Sequence, residues 1–205
     1  EERRALRERL RASQPARDKS LLDTGRTALV AVASGKGGVG KSTVAINLAA
    51  ALSQGEAEVG LLDLDVYGYS IPRMLGVTER PRARDGKLLP VERLGMKVMS
   101  LGLLVPSEDT PVIWRGPLLL KAVQQLLQDV DWDGLDYLVL DLPPGTGDVA
   151  ISLAQLVPGS NVVVVTTPQV AATNVAVRAA RMCSEAKLRL IGVIENMSYL
   201  ICPHG

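Results

Sequence analysis

The stretch "ASGKGGVGKST", residues 33–43, decides the fold. From Gly35 to Ser42 it fits the phosphate-loop pattern G-x-x-x-x-G-K-[ST]. The apolar run "TALVAVAS" (27–34) precedes it and the run "TVAINLAAALSQ" (43–54), which has helical period, follows it. A strand before the loop and a helix after it are the context that this motif requires. The sequence therefore predicts a phosphate-binding loop, and the alternative, a glycine-rich turn without a ligand, is disfavoured.

The residues of this loop predict a division of labour around a polyphosphate. Its glycines let backbone N–H groups turn towards the phosphates, where the helix dipole adds positive potential. Lys41 is expected to contact the β- and γ-phosphates, Ser42 to place its hydroxyl on Mg²⁺, and Thr43 to lie near the α-phosphate. Lys36 is surplus to this pattern. It is useful if it reaches a nucleotide on a facing subunit, as an arginine finger does, and the alternative is a solvated surface lysine.

The composition is that of an ordinary globular protein of 205 residues, with 47% hydrophobic and 22% charged residues. There is no Phe, so Val, Leu, Ile and Ala must build the core. The formal net charge of +1 offers no electrostatic case for nucleic acid or an anionic membrane as a partner. No apolar run reaches membrane-spanning length and no secretory leader is seen, so a cytoplasmic location is predicted. Cys183 and Cys202 are expected to be reduced thiols.

Two parts of the chain are predicted: a charged N-terminal helix or linker over residues 1–26, and one domain over residues 27–205. The first residue is Glu and not Met, and the last four, "CPHG", resemble an interrupted motif. We expect the sequence to be part of a longer protein, with its domain truncated at the C-terminus.

Apolar runs of strand length alternate with longer runs of helical period along the domain. The strand runs are continuously hydrophobic, which is typical of strands covered on both faces. The predicted strands are 27–34, 59–65, 97–105, 137–143, 161–168 and 188–197. The predicted helices are 43–54, 116–130, 148–157 and 174–187. This order predicts an α/β fold, a doubly wound and mostly parallel sheet with helices on both faces. Residues 72–97, rich in Pro and charge, are expected to be an irregular excursion.

Acidic residues follow two of the predicted strands. Asp63 and Asp65 end the second strand and Asp141 lies near the end of the fourth, at the edge where open α/β sheets bind ligands. Asp141 is placed to hold the hydration shell of Mg²⁺, and Gly145 and Gly147 follow it in a loop suited to moving with the γ-phosphate. Each Asp has the alternative of a helix N-cap or a turn residue, and this alternative is most open for Asp63.

The run "KGGVGKST" resembles the deviant Walker A motif of the MinD, ParA and nitrogenase iron protein class, the SIMIBI P-loop NTPases. Within that class the chain resembles the Mrp/ApbC family of iron–sulfur cluster carriers. The blocks that carry this resemblance are "DLDVYGYSIPRMLG" (63–76), "PVIWRGP" (111–117), "LDYLVLDLPPGTGD" (135–148), "VVTTPQ" (164–169) and "GVIENMSYLICPHG" (192–205). They spread the resemblance over residues 29–205 and imply a MinD-like P-loop ATPase domain.

The resemblance implies a set of nucleotide-binding residues: Gly35, Lys36, Gly37, Gly38, Val39, Gly40, Lys41, Ser42, Thr43 and Asn196. Asn196 is expected to read the adenine edge, and its alternative is an Asn that closes a strand by forming a turn.

The resemblance also implies the catalytic residues Lys36, Lys41, Asp65 and Asp141. Lys36 is expected to cross to the phosphates of the partner subunit, and Asp65 to orient the attacking water as part of switch I. Asp141 is expected to bind Mg²⁺ together with Ser42, and residues 143–148 to form switch II.

A cluster site is implied near the C-terminal end. Relatives often carry a C-x-x-C pair there, so that a homodimer supplies four thiolates to a [4Fe–4S] cluster. This chain has Cys202, but Gly205 stands where the second Cys is expected. His204 is an alternative ligand, a cysteine beyond residue 205 is another, and a free thiol beside a surface histidine is the competing interpretation. Cys183, within a predicted helix, is expected to be a buried apolar residue.

The function implied is a homodimer that uses ATP and Mg²⁺ to control the transfer of an iron–sulfur cluster between scaffold proteins and apo iron–sulfur proteins. The alternative is a MinD- or ParA-like positioning or regulatory switch without a cluster, which predicts an amphipathic tail or a basic surface. Electron transfer like that of the nitrogenase iron protein requires more cluster cysteines and ranks last. Neither nucleic acid nor a stable membrane association is expected.

Overall fold

The computed structural model describes residues 27–65, 68–104, 116–145, 156, 160–185, 188–200 and 202. The strands of these parts are β1 (Ala28–Ser34), β2 (Val59–Asp63), β3 (Arg82–Arg84), β4 (Lys87–Leu89), β5 (Val91–Arg93), β6 (Met96–Ser100), β7 (Tyr137–Asp141), β8 (Asn161–Thr166) and β9 (Arg189–Glu195). The helices are α1 (Lys41–Gln54), α2 (Ile71–Leu75), α3 (Gly116–Asp129) and α4 (Val170–Glu185), with a 3₁₀ turn at Leu101–Leu104.

A seven-stranded sheet in the order β5-β6-β2-β7-β1-β8-β9 forms the centre of the domain. All its neighbouring pairs are parallel except β5 with β6, which is antiparallel. The predicted mostly parallel sheet is thus confirmed. Because parallel strands share their direction, β1, β2, β7 and β8 all end at one edge, and the loops that follow them meet there.

Helices cover both faces of this sheet, and β7 shows how its residues divide between them. Leu138 and Leu140 pack into the core cluster that holds the apolar side chains of α3 and α4. Val139, pointing to the opposite face, packs into the cluster that holds Ala45 and Ala49 of α1. A strand buried on both faces has no polar alternation, which is why these strands appear in the sequence as continuous apolar runs.

The six predicted strands are present, but several are shorter than predicted at their carboxyl ends. The strand predicted over 97–105 ends at Ser100 and continues as the 3₁₀ turn. The strand predicted over 59–65 ends at Asp63, since Asp65 already belongs to the loop that follows. Hydrophobicity continues past these ends because the loops at this edge are themselves buried, as Leu64 and Leu101 are.

The prediction for residues 72–97 was wrong. This stretch holds most of α2, the antiparallel pair β3–β4, the edge strand β5 and the start of β6. Strands of three residues with exposed charged side chains, such as Arg82–Arg84, are too short to show a hydrophobic period. Of the other predictions, the segment 1–26 and all of the helix over 148–157 except residue 156 lie outside the described residues.

The search for membrane-spanning helices covered only the described parts of the chain, and in them no helix combines the length and the apolar character needed to cross a bilayer.

Candidate nucleotide-binding site

The loop between β1 and α1 has the backbone of a phosphate cradle. Gly38 and Gly40 have φ angles of 78° and 81°, in the left-handed region that favours glycine. A Cβ on Gly40 would overlap the side-chain amide of Asn196, so glycine is also required there for space. At the loop entry, Ser34 Oγ donates a hydrogen bond of 3.0 Å to the backbone oxygen of Lys36. This hydrogen bond helps to fix the conformation of the loop.

The N-terminus of α1 points its backbone N–H groups at this loop. Gly40 is the N-cap residue and no side chain caps the helix there. The first intrahelical bond runs from the N–H of Val44 to the oxygen of Gly40, at 2.9 Å. Uncapped N–H groups together with the helix dipole make an anion-binding site.

Four predicted site residues converge beneath the loop. Lys41 Nζ lies 2.5 Å from Asp141 Oδ1 and 4.0 Å from Asp65 Oδ2. Ser42 Oγ donates a hydrogen bond of 2.5 Å to Asp141 Oδ2. Asp141 is fully buried, and Lys41 and Asp65 are almost fully buried. Buried charges are tolerated only when paired, so the lysine and the two carboxylates form one interdependent unit.

Burial raises the pKa of Asp141, while the ammonium group of Lys41 acts in the opposite direction. The ammonium group of Lys41 is therefore the charge that favours the ionised form of this buried carboxyl group.

Ser42 and Asp141 also fit the requirements of Mg²⁺. Their oxygen atoms are adjacent at 2.5 Å, and hydroxyl and carboxylate oxygens are the hard ligands that Mg²⁺ takes, with its remaining positions filled by water and phosphate. Within the described residues no group of three or more His, Cys, Asp or Glu side chains has the arrangement of a metal site. Two protein ligands agree with the few that Mg²⁺ uses at nucleotide sites.

Asn196 lies against the phosphate loop, at the end of β9. Its Nδ2 donates a hydrogen bond of 3.0 Å to the oxygen of Val39, and its backbone N–H donates one of 2.8 Å to the oxygen of Thr166. Oδ1 is the acceptor of this side chain, so it is the atom that could accept a hydrogen bond from the amino group of an adenine base. The structure thus places Asn196 beside the loop, and its adenine-reading role stays a prediction.

Lys36 lies half-buried at the loop entry, next to the exposed Gly37 and Gly38. Among the described residues, no acidic side chain forms an ion pair with its ammonium group. Its predicted reach into a second subunit stays a prediction.

The two cysteines differ in burial, and Cys183 is buried as predicted. Cys183 is buried in the core between α4 and the sheet, and burial raises the pKa of its thiol. Cys202 is exposed. His204 and Gly205 lie outside the described residues, so the predicted cluster ligation by Cys202 stays a prediction.

Asp63 is the site residue whose role the sequence left open. It is fully buried at the end of β2 and accepts hydrogen bonds from the backbone N–H of Asp65 and of Ile71 and from the hydroxyl of Ser100. The turn interpretation is correct for the bond to Asp65, two residues ahead. A signal for the rest exists in the sequence: Ser100 is a polar residue within the predicted strand 97–105, as Asp63 is within the predicted strand 59–65. Strand order is needed to bring the two together.

Comparison with known proteins agrees with this site. A family model described as "ParA: NUBPL iron-transfer P-loop NTPase" matches residues 26–205. Three similar proteins carry the name iron-sulfur cluster carrier protein. That of Mycobacterium tuberculosis is 54% identical over 179 residues, covering 87% of this chain and 47% of the relative. That of Aquifex aeolicus is 54% identical over 177 residues (85% and 49%), and that of Bacillus subtilis is 52% identical over 170 residues (83% and 48%). The chain spans about half the length of these curated relatives.

Solved structures show the same architecture. A nucleotide-binding protein from Archaeoglobus fulgidus in complex with ADP matches with a TM-score of 0.75 and 39% identity, covering 86% of this chain and 69% of that one. The cell division ATPase MinD of Pyrococcus furiosus matches with a TM-score of 0.62 and 22% identity, covering 82% and 71%. At that identity the likeness to MinD concerns the fold alone.

Proposed function

The chain belongs to the ParA/NUBPL family of iron-transfer P-loop NTPases, and from this premise we propose that it binds and hydrolyses ATP with Mg²⁺ as a homodimer that passes iron–sulfur clusters to apo proteins. The observation that carries the nucleotide half of the proposal is the convergence of Lys41, Ser42, Asp65 and Asp141 beneath the loop. The cargo half is supported by the relatives that are named iron-sulfur cluster carrier proteins. The alternative, a positioning switch without a cluster, has support from fold likeness only.

The ion pair between Lys41 and Asp141 suggests how nucleotide binding proceeds. When the β- and γ-phosphates enter the loop, the ammonium group exchanges this partner for phosphate oxygens, and the backbone N–H groups at the start of α1 bind the remaining charge. The carboxylate of Asp141 and the hydroxyl of Ser42 would then hold Mg²⁺, and the ion would supply positive charge against the phosphates.

Hydrolysis then depends on positioning and on charge. Asp65, close to the ammonium of Lys41, orients the attacking water by accepting its hydrogen bond. Lys41 remains on the transferring phosphate, and Lys36 of a facing subunit adds a second positive charge, so turnover requires the dimer. The buried setting of the cluster strengthens each of these interactions relative to water.

In this proposal the cluster is cargo, held between two subunits. Cys202 is exposed and can offer a thiolate without rearrangement of the core. One such residue per chain gives two thiolates per dimer, so a [4Fe–4S] cluster needs further ligands, for which His204 or residues after 205 are the candidates.

The nucleotide half is tested by Lys41→Ala. We expect ATP turnover to fall roughly 100-fold or more, because a positive charge on the transferring phosphate is lost. The matched control is Lys97→Ala, since Lys97 lies at the amino end of β6, where it donates to the backbone oxygens of Asp131 and Asp133. Circular dichroism checks that both variants fold. Equal turnover in Lys41→Ala and in wild type would refute ATP hydrolysis at this loop.

The cargo half is tested by anaerobic reconstitution with iron and sulfide. We expect visible absorbance and bound iron in wild type and in Cys183→Ala, and their loss in Cys202→Ala. The Cys183 variant is the matched control because that thiol is buried in the core. A cluster that persists without Cys202 would contradict the role of Cys202 as a ligand, and no cluster in a wild type that hydrolyses ATP would contradict the carrier function for this chain.

A further inference from the structure

Asp63 is a fully buried carboxylate that the proposed chemistry does not use. In the sheet register it lies between Asp141 of β7 and Ser100 of β6, directly under the loops that form the site. An acidic side chain at such a position is costly unless each oxygen is satisfied by hydrogen bonds. The hydrogen-bond donors to Asp63 therefore indicate its role.

Those partners are the two ends of one loop segment. Oδ1 accepts a hydrogen bond of 3.1 Å from the N–H of Asp65, and Oδ2 accepts one of 3.3 Å from the N–H of Ile71. Asp65 lies two residues after the end of β2 and Ile71 is the first residue of α2, so these two residues bound the segment 65–71 that connects the strand to the helix. A single carboxylate thus closes both ends of the segment that carries the candidate water-orienting residue.

A second set of contacts fixes Asp63 itself. Ser100 Oγ donates to Asp63 Oδ2 at 3.3 Å and accepts from the N–H of Gly102 at 3.1 Å. Gly102 in turn leaves no space for a Cβ because the ring of Tyr69, within the 65–71 segment, lies over it. Asp63 therefore holds Asp65 and Ile71, the two ends of the segment, and Gly102 lies against Tyr69.

We infer that Asp63 is the positioning residue for hydrolysis: by closing both ends of segment 65–71, it holds the carboxylate of Asp65 beside Lys41. The kinetic part of this inference rests on the proposed function, whereas the structural part does not. An acid is the suitable residue because a carboxylate offers two acceptor oxygens and no donor. The side-chain amide of Asn has an N–H₂ group in place of one of these oxygens. That group is a donor, so it cannot accept a hydrogen bond from a backbone N–H.

The test compares two variants of Asp63 with two controls. Asp63→Ala removes both closures, and Asp63→Asn keeps a single acceptor. Ser100→Ala leaves both backbone bonds in place. Asp136→Asn changes a carboxylate whose Oδ2 accepts a bond of 3.0 Å from the N–H of Glu58, in the loops at the amino ends of β2 and β7. Ser100→Ala reports the cost of losing the hydroxyl bond to Asp63, and Asp136→Asn reports the cost of losing a comparable bond away from segment 65–71.

The first readout separates turnover from binding. At about pH 8.5, where Asp63 is mostly ionised because its pKa is about 7, we expect kcat to fall roughly tenfold to a hundredfold in Asp63→Ala. The fall is smaller in Asp63→Asn. The Kd for a non-hydrolysable ATP analogue stays within about twofold, since the loop and Lys41 are unchanged. If the role of Asp63 is only structural, the kcat and Kd of Asp63→Ala will instead change together and in proportion to its melting temperature. The controls show what such a change looks like for the loss of one hydrogen bond.

The second readout needs no hydrolysis. Amide hydrogen exchange of the nucleotide-free protein, followed by NMR, should accelerate at Asp65 and Ile71 in Asp63→Ala and stay near wild type in Ser100→Ala and Asp136→Asn. If wild type hydrolyses ATP and Asp63→Ala keeps its kcat, the inference is overturned and the proposed function stands. If wild type does not hydrolyse ATP, the proposed function fails, and exchange at these two amides alone decides whether Asp63 closes the segment.

Discussion

At the scale of residues, the site is a set of buried charges that need one another. Lys41 is neutralised by Asp141, and Asp65 lies within reach of the same ammonium group. Removing one member leaves a buried charge without a partner, which destabilises more than the pair contributes when intact. Variants of these residues must therefore be interpreted with a stability measurement beside each activity.

Asp63 predicts a dependence of stability on pH. Burial, and then the charge of Asp141, raise its pKa from the ordinary 3.8 to about 7. The folded protein therefore binds the proton of Asp63 more tightly than the unfolded chain does. The resulting contribution to the free energy of unfolding is fully present below pH 4 and is lost as pH rises towards 7. We therefore expect the free energy of unfolding of Asp63→Asn, relative to that of wild type, to increase as pH rises across this interval.

Urea denaturation of both proteins at several pH values measures this difference. Asp136→Asn serves as the control for replacing a carboxylate that accepts a backbone hydrogen bond elsewhere in the domain. A constant difference between wild type and Asp63→Asn across the interval would show that the pKa of Asp63 is not raised.

At the scale of elements, the phosphate loop depends on backbone geometry that only glycine adopts freely. Gly40 combines a φ of 81° with the close approach of the Asn196 amide. The same contact ties the end of β9 to the loop through Val39. The loop is thus stabilised by a strand at the edge of the sheet, far from it in sequence.

Two glycines with similar φ angles separate backbone strain from function. We expect Gly40→Ala and Gly86→Ala each to lose about 1 to 2 kcal/mol of stability from the left-handed backbone. Gly86 has a φ of 79° and open space around it, in the turn between β3 and β4. Only Gly40→Ala should also lose nucleotide affinity, because its Cβ displaces Asn196 and distorts the loop.

Thermal unfolding and titration with a fluorescent ATP analogue measure the two effects. Unchanged affinity in Gly40→Ala would mean that the loop accommodates the methyl group, and a comparable loss of affinity in Gly86→Ala would mean that general destabilisation explains both.

At the scale of the whole molecule, the sheet gathers residues that are distant in the chain. The strands β1, β2 and β7 are neighbours or next neighbours, so the phosphate loop, Asp65 and Asp141 meet at one edge. Lys36 faces away from this arrangement in the proposal, and its contribution requires a second copy of the chain.

Mixing two inactive variants tests that requirement. Lys36→Ala lacks the crossing lysine, and Lys41→Ala lacks the lysine of its own loop. In a mixed dimer, the Lys36→Ala subunit keeps Lys41 and receives Lys36 from its partner, so one of the two sites is complete. Random pairing makes about half of the dimers mixed, so an equal mixture should recover roughly a quarter of wild-type turnover.

Steady-state ATP hydrolysis of each variant alone and of the mixture measures this recovery. The control is a mixture of Lys41→Ala with Lys41→Ala,Lys36→Ala, in which no complete site can form. If Lys36 serves its own site, the first mixture will be as inactive as its components.

Much of this could be predicted from the sequence because the signals are local. The phosphate loop is defined by residues 35–42, and each central strand by an apolar run long enough to show that both faces are covered. Strand alternation with helices then leads to a parallel sheet, whose carboxyl edge brings Asp65 and Asp141 towards the loop. Fold class and the core of the nucleotide site follow from these patterns.

Only the tertiary structure decided the contacts that depend on strand order and on short elements. The strands between Arg82 and Arg93 are too short for periodicity, and their pairing is set by neighbours. Asp63 meets Ser100 because β2 lies beside β6, and Asn196 meets Val39 because β9 joins the sheet beyond β8. A sequence pattern determines which residues are buried and which elements they form, whereas hydrogen bonds between distant residues exist only once packing has placed them within about 3 Å of each other.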